Sequence, residues 1–313
     1  MSTGRKPGRP RKRVDVCPVG IHGIVPIPTF QEDCVELVYN QAQLLKCIIS
    51  IFKEYDSDEI AIEFYADHVV FSGRDHSLHV TIRIVINASD MNLYYFAPPA
   101  APSEEGAREP SYSVVVKRDN LEIIVPIIEK AHYKITIALH HGDLSSLFIV
   151  LSNCDYDSED CLDINIVPRA ISPDDANASE MLDLSTYPLE FTLDSHHLRR
   201  KMVELKKFSQ DIIFKKEGNG NFEISFGTNG RVVYTGTYKT SSKIKLRSQI
   251  ADGVLFVATM QIARLRPLMT VNLPGGITFY ANHTDPLVIQ VGLDQRPDGH
   301  FAIMARLLIN TAH

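Results

Sequence analysis

The stretch Val69-Val70-Phe71-Ser72-Gly73-Arg74-Asp75-His76-Ser77-Leu78-His79-Val80 places two apolar segments on either side of a short polar turn. Valine and phenylalanine favour strands, whereas glycine, aspartate and serine favour turns. Residues 67–71, which overlap the start of this stretch, are similar to residues 229–234, which suggests that the chain contains the same unit twice. Similar strand-forming segments surround both copies, so we predict an α+β fold.

The predicted elements follow one order in each half of the chain. In the first half we expect helices over 41–55 and 119–132, with strands over 34–39, 59–65, 68–72, 79–86, 112–116, 134–139, 147–152 and 162–167. In the second half we expect helices over 195–208 and 261–269, with strands over 189–193, 211–216, 222–226, 231–234, 243–247, 254–258, 270–272, 277–280, 287–293 and 300–309.

The chain divides by composition into four parts. Residues 1–31 carry basic residues and prolines without an apolar period, so we interpret them as a flexible tail. We predict an N-terminal domain over 32–168 and a C-terminal domain over 188–313. Residues 169–187 between them are small and acidic, as expected of a connector.

The formal net charge of −6 hides a segregation of charge along the sequence. Residues 1–13 contain six basic and no acidic residues, which leaves 26 basic against 38 acidic residues in the rest of the chain. Within that acidic body, residues 196–216 are locally basic. This asymmetry indicates a protein that presents one positive face to a polyanion.

Several classes of protein are disfavoured by composition. No run approaches the ~18 apolar residues of a membrane helix, and no apolar leader follows the first residues, so we expect an intracellular protein. The five cysteines lack paired spacing, and we expect neither disulfides nor a metal or other cofactor. The glycines of 218–221 form a turn without the Lys-Ser/Thr of a phosphate loop. We find no catalytic constellation and expect no enzyme.

The helices give the strongest sign of a ligand. Segment 41–55 has an apolar face opposite Lys46 and Lys53, and 195–208 buries Leu198, Met202, Leu205 and Phe208 opposite a basic side. Lysine and arginine without base-reading partners suit sequence-independent contact with phosphates. The predicted DNA-binding residues, tail included, are Arg9, Arg11, Lys12, Arg13, Lys46, Lys53, Lys130, Arg199, Arg200, Lys206, Lys207, Arg264 and Arg266.

The duplicated units, the acidic connector and the basic helices together resemble the proliferating cell nuclear antigen (PCNA) family of DNA sliding clamps. The resemblance covers roughly residues 34–310 and is most specific in 69–80, where one inserted residue aligns His79 with the family's histidine. The closing segments 284–289 and 299–301 are also similar, and Pro286 occupies the position of the family's pocket proline. The divergence and the basic tail resemble a clamp of a large DNA virus.

The resemblance implies two tandem clamp-fold domains in a pseudo-sixfold, homotrimeric ring around duplex DNA. The ring would act as a polymerase processivity factor at sites of DNA replication, in the nucleus or in a cytoplasmic viral factory. Strand 162–167 (Ile164, Ile166) would pair with strand 243–247 (Ile244, Leu246) of the next chain. DNA polymerase and other replication or repair proteins would insert a peptide beneath the connector, in a pocket lined by Arg74, His79, Leu182, Leu184, Pro286 and Met304.

Other functions remain open at this stage. Gly8-Arg9-Pro10 resembles an AT-hook, so the chain could be a DNA-binding regulatory protein whose body serves only for dimerisation. A clamp fold could also act as a monomeric or dimeric processivity factor. An enzyme of nucleotide metabolism is the third alternative, although no nucleophile or general acid can be placed for it.

Overall fold

The computed structural model describes residues 33–40, 42–77, 79–98, 112–128, 133–140, 143–153, 158–165, 182–205, 207–228, 231–238, 244–270, 275–282, 286–295 and 301–309. The predicted tail 1–31, most of the connector and the predicted strand 270–272 beyond its first residue lie outside these ranges. No helix in the described ranges is long and apolar enough to cross a membrane.

The first half of the described chain contains nine strands and three helices. The strands are β1 (Asp33–Tyr39), β2 (Glu59–Phe64), β3 (His68–Arg74), β4 (Val80–Asn87), β5 (Leu93–Phe96), β6 (Tyr112–Lys117), β7 (Tyr133–His140), β8 (Asp143–Asn153) and β9 (Ser158–Asn165). The helices are α1 (Gln43–Glu54), α2 (Arg118–Glu122) and α3 (Val125–Ile128).

The described second half repeats this order. Its strands are β10 (Leu189–Asp194), β11 (Asp211–Glu217), β12 (Phe222–Thr228), β13 (Arg231–Tyr238), β14 (Ile244–Ser248), β15 (Leu255–Gln261), β16 (Gly276–Ala281), β17 (Leu287–Gln295) and β18 (Phe301–Ile309). Its helices are α4 (Ser195–Leu205) and α5 (Ile262–Thr270).

The strands form three antiparallel sheets whose order repeats. A five-stranded sheet runs β5-β1-β7-β8-β9, and its counterpart in the second half runs β14-β10-β16-β17-β18. Strands β4-β3-β2-β6 likewise match the four-stranded sheet β13-β12-β11-β15. The predicted duplication is therefore visible in the topology. The predicted match of 67–71 with 229–234 is wrong, because β13 occupies the position of β4 and β3 corresponds to β12.

The two repeats share one nine-stranded sheet, which we call the central sheet. Its order is β14-β10-β16-β17-β18-β4-β3-β2-β6, and the repeats join where β18 pairs with β4. The register there places Ile303 opposite Ile86 and Ile309 opposite Val80. Since this pairing is continuous over seven residue pairs, the junction between the repeats is a backbone ladder.

The core lies between the sheets and the helices. Phe191 of the central sheet stacks on Phe279 with ring centroids 4.8 Å apart, and it also contacts Phe214 and Phe222 of the four-stranded sheet. In the first repeat, Phe52 of α1 and Phe64 of β2 are fully buried. An apolar residue at every third or fourth position of α1 produces this buried face, as the helical period predicts.

Several predicted boundaries changed. The described part of the predicted helix 119–132 forms two short helices, α2 and α3, with Pro126 inside the second, and 129–132 lie outside the described residues. Helix α4 ends at Leu205, and Phe208 beyond it is 62% exposed, so its predicted burial is wrong. The short strand β5 was not predicted, although its Leu-Tyr-Tyr-Phe sequence has a high strand propensity.

Candidate DNA-contacting and partner-binding surfaces

The helices of the two repeats contact one another. Helix α1 contacts α2, α3 and α5, and α5 contacts α4, so the described helices form a continuous set. The Tyr55 hydroxyl donates to the carbonyl of Arg264 at 2.7 Å, which fixes the end of α1 against α5 across the junction of the repeats. Basic side chains predicted on separate helices therefore belong to connected elements.

Two of the predicted DNA-binding arginines have intramolecular partners. Arg264 Nη1 lies 3.1 Å from Asp75 Oδ2 and 3.2 Å from Ser77 Oγ. Arg199 Nε donates to the carbonyl of Met269 at 2.7 Å, where it satisfies a carbonyl in the last turn of α5. These two side chains hold the helices in place, and the sequence carries no sign that would have separated them from the exposed bases.

The other predicted bases are more accessible. Arg200, Lys207 and Arg266 are exposed; Arg200 is only weakly paired with Glu204, at 3.9 Å. Lys53 is exposed but its Nζ lies 2.8 Å from Glu122 Oε2. Lys46 is half-buried on α1. Arg9, Arg11, Lys12, Arg13, Lys130 and Lys206 lie outside the described residues.

Acidic residues surround the end of α1. Arg118 lies 3.0 Å from Glu122 and within 4 Å of Asp56, Asp58 and Asp119. This cluster neutralises much of the positive charge that the first repeat offers. Of the predicted DNA-binding residues that the structure describes, four are exposed, and three of them, Arg200, Lys207 and Arg266, lie on or beside α4 and α5 of the second repeat.

One face of the central sheet carries polar side chains on seven consecutive strands, from β14 to β3, and we call it the polar face. A single cross-strand row joins all nine strands there, in the order Lys245, Thr192, Thr278, Gln290, Arg306, Arg83, Ser72, Ala61 and Val115. Strand alternation explains the row, because the residues on either side of each member, such as Ala305 and Leu307, point to the core.

The predicted partner-pocket residues lie on or shortly before β3, β4, β10, β17 and β18. Arg74 lies in the row next to Ser72, opposite Thr81, and Pro286 immediately precedes β17. His79 is exposed immediately before β4, and Leu182 and Leu184 are half-buried before β10. Met304 is in register with Val85, but its side chain lies outside the described residues.

The end of the predicted connector is anchored to the polar face by a tyrosine. Tyr187 is 2% exposed, and its hydroxyl donates to the carbonyl of Pro286 at 3.2 Å. Its ring packs edge-on against Tyr280, with centroids 6.4 Å apart. Burial raises the pKa of Tyr280, and nearby Glu190 raises it further. Neither tyrosine was singled out from the sequence, although an aromatic residue at the end of a polar connector was a usable signal.

The predicted subunit-interface residues have mixed positions. Strands β9 and β14 both end a sheet. However, Ile244 is buried and Leu246 packs against the core of its own chain. Only the backbone of Ile164 is described, in register with Leu147, and Ile166 lies outside the described residues.

The topology, with duplicated sheets and helices joined through a shared sheet, is that of a clamp-type fold. Among solved structures, the chain is similar to PCNA from Thermococcus kodakaraensis, with a TM-score of 0.66 and 13% sequence identity over 89% of this chain and all of that one. At that identity the likeness concerns the fold.

Similar sequences occur in a virus. The chain is 22% identical to an uncharacterized protein of African swine fever virus, over 93% of this chain and 94% of the viral protein. The same values hold for the isolates from Kenya and Namibia and for the Badajoz strain. No family model matches the chain.

Proposed function

We propose that the protein is a sliding clamp: copies of the chain close head to tail into a ring around duplex DNA and tether a polymerase and other replication or repair proteins. In this proposal the protein performs no catalysis and acts at sites of DNA replication. The proposal of three chains per ring rests on the PCNA-type fold.

The repeated topology is the observation that carries the proposal. Within the chain, β18 of the second repeat pairs with β4 of the first. Their counterparts, β9 and β13, each end a sheet. The junction seen inside one chain can therefore recur between chains, with β9 of one copy beside β13 of the next, and ring closure would pair edges that otherwise promote aggregation.

This pairing revises the proposed interface. The family resemblance implies 243–247 as the partner strand, but β14 occupies the position of β5, which lies away from the junction in the first repeat. Strand β13 instead carries exposed Val232 and Val233, at 44% and 50%. We therefore propose β13 as the partner of β9, since burying exposed valines favours association.

Contact with DNA is proposed for the bases exposed on the second repeat. Arg200, Lys207 and Arg266 are exposed on or beside connected helices, and Lys53 is accessible on α1. Such side chains favour phosphate contact that is independent of sequence and sensitive to salt. A ring with this contact would hold DNA and still move along it.

Solution mass, measured by light scattering at micromolar concentration, tests the ring. We expect a trimer for the native chain and a monomer for Val233→Lys. A matched control is Val257→Lys, on β15 at the opposite edge of the same sheet, where the valine is 41% exposed. It should remain trimeric. A native chain with the mass of one copy would refute the ring, and dissociation by both variants would refute the assignment of β13.

A further inference from the structure

Arg83 is a buried arginine without hydrogen-bond partners at two of its nitrogens. The residue is 6% exposed on β4, at the junction of the repeats, and its Nε and Nη1 make no hydrogen bond. Leaving charged donors buried and unpaired costs folding free energy. A buried arginine that destabilises the fold in this way is expected to have a function, such as binding a ligand.

A second arginine lies directly beside it. Arg306 of β18 is the cross-strand neighbour of Arg83, and its Nε donates to Gln290 Oε1 at 3.2 Å. Burial lowers the pKa of Arg83, and the charge of Arg306 lowers it further, against the opposite effect of Glu63. Like charges in adjacent cross-strand positions destabilise a sheet unless an anion lies between them.

The nearby carboxylate of Glu63 does not lie between the two arginines. Glu63 of β2 is 1% exposed, and one of its carboxylate oxygens accepts the Tyr65 hydroxyl at 2.5 Å. No ion pair within 4 Å joins Glu63 to Arg83 among the described residues. Counting formal charges, two arginines face one glutamate, so the cluster retains one positive charge that a single carboxylate would balance.

We propose that the Arg83–Arg306 pair is the anchor for an acidic side chain, aspartate or glutamate, in the peptide by which a partner protein docks on the polar face. The proposal rests on the proposed clamp function and specifies the chemistry of its partners. A guanidinium accommodates a carboxylate with paired hydrogen bonds, and the Gln290 amide supplies a further donor.

The surroundings define the rest of the peptide. Val85 and Leu308 are half-buried on the rows adjacent to the arginines, and Val288 is buried beside them. These side chains favour apolar residues on either side of the acid. The expected partner motif is thus an acidic residue flanked by apolar ones, bound next to the residues Arg74, Pro286 and Met304 of the predicted pocket.

The experiment selects short random peptides displayed on phage against the full chain and measures the synthetic peptides by calorimetry. We expect aspartate or glutamate to be enriched at one position between apolar residues. Replacing that acid by its amide should weaken binding at least about tenfold, and Arg306→Gln should weaken it to a similar extent. Arg247→Gln is the matched control, since Arg247 lies on the same face and is already paired with Glu190 at 2.7 Å.

Arg83→Met separates a binding role from a structural one. The variant should lose the acidic peptide yet melt about 2–4 °C higher, because it removes a buried, incompletely paired charge. Selected peptides without an acid, or equal binding by the native and Arg306→Gln proteins, would overturn the proposal. The ring mass and DNA retention of the same variants should be native, so a failure of this proposal is distinguishable from a failure of the clamp.

Discussion

Arg264 lies 3.1 Å from the Asp75 carboxylate and so joins helix α5 of the second repeat to the loop after β3 of the first. Both side chains are mostly buried, at 22% and 10% exposed. Asp75 Oδ1 also accepts the backbone N–H of Val80 at 2.7 Å. The carboxylate thus shapes the loop and fixes the junction at once.

Removing this ion pair should destabilise the fold. We expect Arg264→Ala to lower the free energy of unfolding by about 1–3 kcal/mol, because it leaves a mostly buried carboxylate with one partner fewer. Urea denaturation measures the change. Arg200→Ala provides the control, with an expected effect below about 0.5 kcal/mol at an exposed, weakly paired site. Equal effects would show that Arg264 has no special role at the junction.

The exposed bases of the second repeat should govern DNA retention. We expect the triple variant Arg200→Ala, Lys207→Ala, Arg266→Ala to leave circular DNA faster at every sequence tested. The slope of log affinity against log salt should fall by about one for each lost phosphate contact. Retention on nicked plasmid across a salt series measures both, and Lys245→Ala on the polar face should behave as the native protein.

Phe208 should contribute to association between chains. Gln210 and Asp58 hold equivalent positions, since their carbonyls accept the N–H groups of Ile262 and Arg118. Phe208 therefore lies in a turn of the second repeat. The equivalent turn of the first repeat contains Tyr55, which is held against α5. We expect Phe208→Ser to raise the concentration at which the ring dissociates while leaving monomer stability within about 0.5 kcal/mol. Dilution light scattering and urea denaturation separate the two effects.

Gly73 should tolerate no side chain. A Cβ there would lie 2.7 Å from Ser57 Oγ and 2.9 Å from both the Glu59 carbonyl and the Phe52 ring. We expect Gly73→Ala to cost about 1–3 kcal/mol by overpacking, measured by thermal or urea unfolding. A neutral outcome would mean that β3 and α1 are further apart than described.

The Cys47 thiol should be unreactive in the folded chain. Burial raises its pKa to about 11, so little thiolate forms at pH 8. The neutral thiol is favoured by the fold, and its contribution to stability is complete below pH 9 and falls as the pH rises toward 11. Iodoacetamide labelling followed by peptide mass mapping should show slow modification at pH 8 in buffer and fast modification in urea.

The sequence predicts the bounds of helices and strands more accurately than it predicts which strands pair with one another. Strand propensity and helical period locate α1 and β18 almost to the residue, because both depend on nearby residues. The proposed pairing of β13 with β9 depends on which edge strand of the second repeat takes the position of β4. Resemblance alone had assigned the interface to 243–247, the strand β14, because the sequence does not give the order of strands within a sheet. Likewise, the sequence does not distinguish Arg199 from Arg266, since both are arginines on predicted basic helices. Only the folded structure places the Met269 carbonyl where Arg199 donates a hydrogen bond to it.

The candidate site illustrates the same limit. Arg74 and Pro286 were assigned to the predicted pocket by local resemblance, whereas Arg83 and Arg306 were not singled out because each is an ordinary basic residue within a strand. Only the register of β4 and β18 places them side by side. Their burial depends on packing that no single segment of the sequence encodes.

The ladder between β18 and β4 also affects how the chain folds. Ile86 and Ile303 pair although more than two hundred residues separate them, so β4 must remain without this partner until β18 has been synthesised. Contacts between residues so far apart in the sequence form slowly during folding. During that delay, β18 of one molecule can pair with β4 of another, and the resulting domain-swapped species would compete with productive assembly at high expression levels.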